Sequence, residues 1–597
     1  MKSLSNNLYA VKTMWKLCRS RLIFVAIQSL LSYFEWVFYS AFFMRYVIGA
    51  IEREKNFSEI LLFIGITILF FASAAVFNNY VDNVAIPLTD KVFYQKFYNI
   101  IYRKAANVEL RCFEDADFYN RYTLATKDAA DNMTGIVKNF FGVIFGGLAA
   151  VIVFAVMYGL DHLAMLFVLA PILGNFVFGS LHNKILYRIY KESIPANRKT
   201  EYINRVIHLS DYAKEIRLSK VFGLLKHKYN EAVEEAIKVS DRYAKKAFVA
   251  YWFKVYLTFT VIFQGVLIYG VYRTAVSKSM VLADLAILSS VMVAATWILI
   301  FFTADLMECN KKALLVENIR SFLEYKEEIP EDMDGILPDK RIDSIEFRKV
   351  TFSYKIDQEP VIRKLSFTIK ENTAVALVGH NGAGKSTIIK LLFRMYDPTE
   401  GEILVNGRNI KEYNLRAYRK LFAAAFQDYK IFAMSVRENV LMRKAKIEDP
   451  EEEILVKRAL KKAGIYDKIA SLPKGLDTML TKEFDEEGVI LSGGQFQKIV
   501  VARAFAHDTP IKIFDEPSSA LDPIAECELY DSIIEDSKDK TMIFISHRLS
   551  SVRNADMVYM LENGTIIEEG THQELMKRDG AYADMYQKQA QNYLALT

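Results

Sequence analysis

The sequence predicts two units of different kind, an α-helical domain of six membrane spans followed by an α/β domain built around a phosphate-binding loop. Three observations carry this. Six apolar stretches of near membrane-spanning length lie before residue 310. The composition is mixed, 52% hydrophobic yet 25% charged, which suits a chain that is part membrane-embedded and part water-soluble. From about Ile342 onward, β-rich segments alternate with helical ones, and one strand-to-helix junction reads GHNGAGKS. At 597 residues the chain is also too long for one compact core. The spans with their cytoplasmic extensions are expected in residues 1–325, a linker in 326–341 and the α/β domain in 342–597.

A helix needs about 20 apolar residues to cross the hydrocarbon core. The stretches run roughly from Leu22 to Ile48, Ile60 to Phe77, Ile136 to Tyr158, Leu163 to Phe178, Ala250 to Tyr272 and Val281 to Asp305. Lys12, Lys16, Arg19 and Arg21 precede the first as they would in a signal peptide, but the apolar run is too long and no small-residue cleavage site follows. Five basic residues and no acidic one lie between Met1 and Arg21, which places the N-terminus in the cytoplasm. Connections after spans one, three and five are short (IEREKNFSEI, GLDH, RTAVSKSM), whereas those after spans two and four are long. The short loops therefore lie outside and the long extensions inside, with candidate helices at Val92 to Ala106 and Tyr202 to Tyr243.

Polar groups within the spans are Glu35, Arg45, Asn175, Gln264 and Asp305. Facing lipid would be costly, so they are expected to face the bundle or its cavity. Internal pairing or interfacial snorkelling accounts for them as well as contact with a transported molecule does. A net charge of +5 is small for this length and carries no nucleic-acid footprint. Cys18, Cys112, Cys309 and Cys527 are scattered without metal-ligand or disulfide spacing.

The phosphate loop spans Gly379, His380, Asn381, Gly382, Ala383, Gly384, Lys385 and Ser386, with Thr387 opening the helix behind it; AVALV precedes it as a buried strand. Glycines let backbone N–H groups curl around phosphates, Lys385 reaches the β- and γ-phosphates, and Ser386 can ligate magnesium. ATP and Mg2+ are the implied cofactors. A second strand, IKIFDEP, ends in Asp515, directed at magnesium, and Glu516, which can polarise an attacking water. Lys512 interrupts that apolar run and signals either a sheet edge or a polar contact.

The ordered set of Tyr354 in VTFSY, Gly379 to Thr387, Gln427 in AAFQDY, LSGGQ at Leu491 to Gln495, Asp515 with Glu516, SALD ending at Asp522 and His547 in ISHR resembles the ATPase domains of ABC transporters. With six spans fused ahead, the whole chain resembles an exporter half-transporter, an α-helical six-span domain followed by an α/β P-loop ABC ATPase domain. The resemblance implies that Tyr354 stacks on adenine, although Phe352 could compete. It implies that Gln427 touches magnesium or water, that His547 holds the γ-phosphate and the water, and that Asp522 lies at a dimer seam. Ser492, Gly493, Gly494 and Gln495 open the helix QFQKIVVARAF and offer N–H groups to a γ-phosphate held by the partner subunit's Lys385. Two copies would then share two ATP sites, as a homodimer or, with a related chain, a heterodimer. Coupling segments are expected at Ala116 to Thr123 and Tyr212 to Gly223.

FQDYKIFAMSVREN, KEFDEEGVILSGGQFQK and DEPSSALDPIAE resemble the variants of bacterial lantibiotic and other modified-peptide exporters. This implies ATP-driven export of a peptide across the bacterial cytoplasmic membrane by alternating access, with both termini and the ATPase in the cytoplasm and lipid around the spans. A lipid or hydrophobic small-molecule exporter, and an ATP-gated sensor or conduit, are the alternatives. An acidic lining by Glu35 and Asp305 would suit a cationic peptide. No peptidase domain precedes span one, so another protein would cut any leader.

Overall fold

The computed structural model describes residues 2–163, 166–256, 260–261, 264–331, 334–355, 358–446, 448–518, 521–536, 539–546 and 552–594. They divide into two compact units, one of Met1–Ala106 with Asp117–Tyr325, the other of Asn107–Ala116 with Lys326–Thr597.

The first unit is helical. Among the described residues, four helices are long and apolar enough to cross a membrane: Arg19–Glu52, Phe57–Asn107, Ala129–Leu160 and Leu282–Leu323. They contain the expected spans one, two, three and six. Span four falls on the helix Leu166–His208, but its first turn and most of its side chains lie outside the described residues. Span five is interrupted by residues outside the description and continues as the apolar helix Val266–Val276.

Of the two expected cytoplasmic helices, Val92 to Ala106 is helical, as the end of the 51-residue helix Phe57–Asn107, which at 1.5 Å per residue extends about 76 Å, far beyond the bilayer core. A π turn at Val81–Ala85 precedes Pro87, where no N–H exists to bond the Asn83 carbonyl, so the helix widens instead of ending. Tyr202 to Tyr243 is not continuous: Leu166–His208 ends, a short helix Ala213–Leu218 follows, and Val221–Tyr256 begins anew. Ser219 Oγ accepts the Val221 N–H at 3.3 Å and starts that last helix.

Spans three and six form the core of this unit through Val153, Met157, Leu288, Val291 and Ile298, all 1% exposed or less. Gly142 and Gly146 permit the close approach, since a Cβ would fall 2.0 Å from Asp305 Oδ2 and 2.9 Å from the Tyr33 hydroxyl respectively.

Among the described residues the second unit has ten strands: β1 Ser344–Phe352, β2 Ile362–Lys370, β3 Ala374–Gly379, β4 Glu400–Val405, β5 Arg408–Asn409, β6 Phe422–Ala425, β7 Ile511–Asp515, β8 Thr541–Ile545, β9 Met557–Glu562 and β10 Thr565–Gly570. An antiparallel sheet runs β2-β1-β4-β5, and a six-stranded sheet runs β10-β9-β3-β8-β7-β6. In the latter only β10 is antiparallel to its neighbour. Every residue of β3, β7 and β8 is buried, as expected of parallel strands covered on both faces. Lys512 is therefore not at an edge. It sits in β7 at 1% exposure with Nζ 2.6 Å from Asp536 Oδ2, so the polar-contact reading of that residue is the one realised.

The described residues of 326–341 form no helix or multi-residue strand, yet they are packed: Ile329 enters the core around β1 and β2, and Ile336 pairs with Tyr413.

Candidate nucleotide-binding site

Sheet order builds the site. One strand, β8, separates β3 from β7, so the parallel strands bring Gly379 and Asp515 to the same edge, about 10 Å apart at two strand spacings. Behind β3 the loop turns through Gly382 and Gly384, at φ of 82° and 102°, into the helix Lys385–Leu392. Lys385 is buried and folds back, its Nζ donating to the Gly379 and His380 carbonyls at 2.8 and 3.0 Å. Burial lowers its pKa, against the opposing pull of Glu516 and Asp515. His380, Asn381 and Gly382 form the exposed tip, whereas Ala383 and Gly384 are buried at the helix start.

Asp515 is 6% exposed, and its Oδ1 has no hydrogen-bond partner among the described residues. Burial pushes its carboxyl up to about 6, helped by the charges of Glu516 and Asp428; a hydrogen bond from Ser386 and the charge of Lys385 oppose the rise. A buried, uncompensated carboxylate oxygen beside a serine hydroxyl fits a small hard cation such as Mg2+.

Glu516 lies in the left-handed region at φ 49°, which costs a non-glycine residue on the order of 1 kcal/mol. Contacts on its backbone and side chain hold it there. Its N–H donates to the Ile545 carbonyl at 3.0 Å, its carbonyl accepts from Gln497 Nε2 at 2.9 Å, and its Oε2 accepts from Gln427 Nε2 at 2.6 Å. Gln497 was not legible as a site residue. The only available signal was its position two residues after Gln495, on the buried side of the same helix.

Tyr354 and Phe352 are separated by burial. Phe352 is 3% exposed, and Tyr354 is 38% exposed with its hydroxyl 3.1 Å from Thr387 Oγ1. Only Tyr354 can offer a ring to a base. Lys390 Nζ sits 5.4 Å from that ring's centroid and 3.0 Å from Glu114 Oε1, while the Tyr396 hydroxyl donates to Glu114 Oε2. The segment that joins the ATPase unit is thus Asn107–Ala116, just ahead of the Ala116 to Thr123 stretch singled out from sequence.

The LSGGQ motif starts the helix Gly493–Ala506. Ser492 Oγ accepts the Gln495 N–H at 3.4 Å and Gln495 Oε1 accepts the Ser492 N–H at 3.0 Å, a reciprocal capping box. The N–H groups of Gly493 and Gly494, in the first turn, have no intrahelical acceptor. Ser492 and Gly493 are exposed, and a Cβ at Gly493 would meet nothing within 4 Å. Tyr429, two residues after Gln427, donates its hydroxyl to the Gly493 carbonyl at 3.0 Å. Asp522 Oδ1 accepts the N–H groups of Ile524 and Ala525 at 3.1 and 2.9 Å, capping the helix Pro523–Asp536. His547 lies outside the described residues.

The polar residues of the spans whose side chains are described do not contact one another in any hydrogen bond or ion pair. Asp305 accepts from the Tyr33 hydroxyl at 3.4 Å. Glu35, two positions on and about 200° further round the helix, lies on the opposite face and is exposed, so these two acids form no joint lining in this unit. Arg45 and Gln264 are exposed, and the side chain of Asn175 lies outside the description.

Residues 362–519 match the sequence profile of the family described as "ABC transporter". The chain is 31% identical over 512 residues to the "Subtilin transport ATP-binding protein SpaT" of Bacillus subtilis, covering 84% of this chain and 80% of that one. It is 41% identical over 263 residues to the "ATP-dependent lipid A-core flippase" of Idiomarina loihiensis; that match spans 44% of either chain, less than half the flippase's length. The fold resembles the "Structure of a bacterial Atm1-family ABC exporter with ATP bound" at a TM-score of 0.76 and 22% identity, over 96% of this chain and 99% of that one.

Proposed function

The chain belongs to the ABC transporter family, with membrane spans and ATPase on one polypeptide, and from that premise we propose that it exports a peptide or modified peptide from the bacterial cytoplasm. ATP is hydrolysed at sites shared by two copies. The observation that carries the ATPase reading is the meeting of Lys385, Ser386, Asp515 and Glu516 at one end of the parallel sheet.

Lys385 and the loop N–H groups hold the phosphates. Asp515 and Ser386 would hold Mg2+, which when bound neutralises charge on the phosphate oxygens. Glu516 orients a water toward the γ-phosphorus and takes its proton as the bond to ADP breaks. Gln427 holds that carboxylate in the present arrangement, so its withdrawal readies Glu516 for the water. The exposed turn at Ser492 to Gln495 faces no phosphate of its own loop in this reading; it closes on the partner's nucleotide. A single chain is then incomplete, and the dimer is the working unit.

The peptide cargo is favoured by reach. The match to the subtilin transporter is about twice the length of residues 342–597 and so includes membrane spans, whereas the flippase match is about as long as the ATPase domain alone. The deciding experiment is ATP-dependent uptake into inside-out vesicles, offered labelled subtilin and labelled phospholipid side by side. Saturable subtilin uptake supports the peptide reading. Lipid movement without subtilin uptake replaces it by the lipid reading, and hydrolysis with neither favours a sensor.

A further inference from the structure

Spans one and two carry a second set of polar side chains that the ATPase reading does not use. On span one, Arg21, Gln28 and Glu35 recur every seven residues and so lie along one helix face, with Ser32 beside them. Span two supplies partners in antiparallel register: Asp90 Oδ1 lies 2.7 Å from Arg21 Nε, and Asp82 Oδ1 lies 2.8 Å from Gln28 Nε2. Asn78, Asn79 and Asn83 flank Asp82, and Asn83 Nδ2 donates to the Asn79 carbonyl at 3.0 Å. Arg21 neutralises Asp90 at the inner end, but Asp82 receives only an amide, and Glu35, Ser32, Asn79, Asp82 and Asn83 are all exposed on the protomer.

A carboxylate facing lipid is costly, so the polar residues that follow the apolar stretch of span two are expected to face away from lipid. Leu62, Leu69, Val76 and Tyr80, each more than half exposed, lie along one side; on another, Asp82 and Asn79 are followed outward by Ala75 and Ala72 and then by the exposed Ile68 and Leu61, so the polar set is confined to the inner part of the span. One feature marks the polar set apart: Asn78 Oδ1 is buried and has no hydrogen-bond partner among the described residues.

We propose that Glu35, Ser32, Gln28, Asn78, Asn79, Asp82 and Asn83 form a polar track lining the water-filled transport passage, and that it receives a cationic, unfolded segment of the peptide cargo. Asn and Gln side chains match backbone amides of an extended chain, and the two carboxylates, Asp82 held by Gln28 and Glu35 seven residues or about 10 Å along span one from Gln28, match Lys or Arg side chains. The track rests on the peptide-exporter reading and names where its selectivity sits.

The test uses the full-length protein with Cys527→Ser, since Cys18, Cys112 and Cys309 are 6, 5 and 3% exposed. Ala75→Cys reports the track side, one turn outward from Asn79; Leu69→Cys reports the lipid side. Inside-out vesicles receive methanethiosulfonates bearing either trimethylammonium or sulfonate. Ala75→Cys is expected to react with both, Leu69→Cys with neither, and the cationic reagent to react faster by roughly tenfold after correction for free-thiol rates. Asp82→Asn and Glu35→Gln should each cut that preference several-fold, and together bring it near unity. An unreactive Ala75→Cys means that a second copy or lipid covers this face, and it overturns the track. A preference that survives in the double variant overturns the assignment to these acids. ATP with vanadate should slow labelling at Ala75→Cys; a charge preference that persists with no such slowing counts against alternating access and leaves the track standing.

Discussion

Asp515→Asn should make the nucleotide-free protein more stable while abolishing its metal-dependent hydrolysis. The carboxyl is pushed from 3.8 up to about 6, burial being the main cause and the adjacent Glu516 the next. Since the folded group binds its proton more tightly than the unfolded one, it favours folding below pH 4 and loses that contribution as pH rises through about 6. Above that, the buried charge is a burden of about 3 kcal/mol, at 1.36 kcal/mol for each pH unit of the rise. An asparagine carries no charge but accepts a weaker bond from Ser386, which returns about 1 kcal/mol. The net gain of about 2 kcal/mol corresponds to roughly 4–8 °C for an ATPase unit of this size. The assay is thermal unfolding of the purified protein in detergent with EDTA, followed at pH 5 and pH 8. The variant should melt higher at pH 8 and differ less from wild type at pH 5. With Mg-ATP in hundredfold excess over its dissociation constant the order should reverse, as binding stabilises wild type by about 2.7 kcal/mol. A variant that melts no higher than wild type at pH 8 in EDTA would refute the argument that Asp515 is held charged at a cost.

Three further outcomes follow from the same geometry. Glu516→Gln should leave ATP binding intact, trap nucleotide between paired ATPase domains and stop turnover, so steady hydrolysis near the wild-type rate removes Glu516 as the base. Ser492→Arg places a long cation at the exposed helix start, and should block dimer closure and hydrolysis while ATP still binds; hydrolysis at the wild-type rate would argue against a shared site. Tyr354→Leu should weaken ATP by roughly 5- to 160-fold, the worth of one base stack at 1–3 kcal/mol, and leave inorganic tripolyphosphate affinity unchanged. Equal losses for both ligands would mean that Tyr354 acts through the loop and not on the base.

The phosphate loop and LSGGQ were legible because each does its work through consecutive backbone groups, so the sequence is the site. Asp515 and Glu516 were legible as a strand end beside such a loop. Tyr354 could not be separated from Phe352, because alternation along a strand does not say which side a final residue takes; burial of Phe352 at 3% does. Lys512 in an apolar run fits either an edge or a polar contact; the interior place of β7 and the pairing with Asp536, 24 residues further on, resolve it. The polar track was missed for a simpler reason. The apolar window of span two ends at Phe77, and Asn78, Asn79, Asp82 and Asn83 fall just past it, while Gln28 is diluted by its apolar neighbours. Length alone could not show that the helix runs on to Asn107.

Order along the chain was thus enough for the fold class and for a nucleotide loop, since hydropathy over about 20 residues and a glycine-rich turn are local properties. Which distant groups meet was decided by packing. The placement of β8 between β3 and β7 brings Asp515 to Ser386 across nearly 130 residues. The pairing of spans one and two places Asp82 against Gln28 and leaves Glu35 on the face away from Asp305. Contacts of that separation follow from how whole elements bury their apolar faces, and no single stretch of residues encodes them.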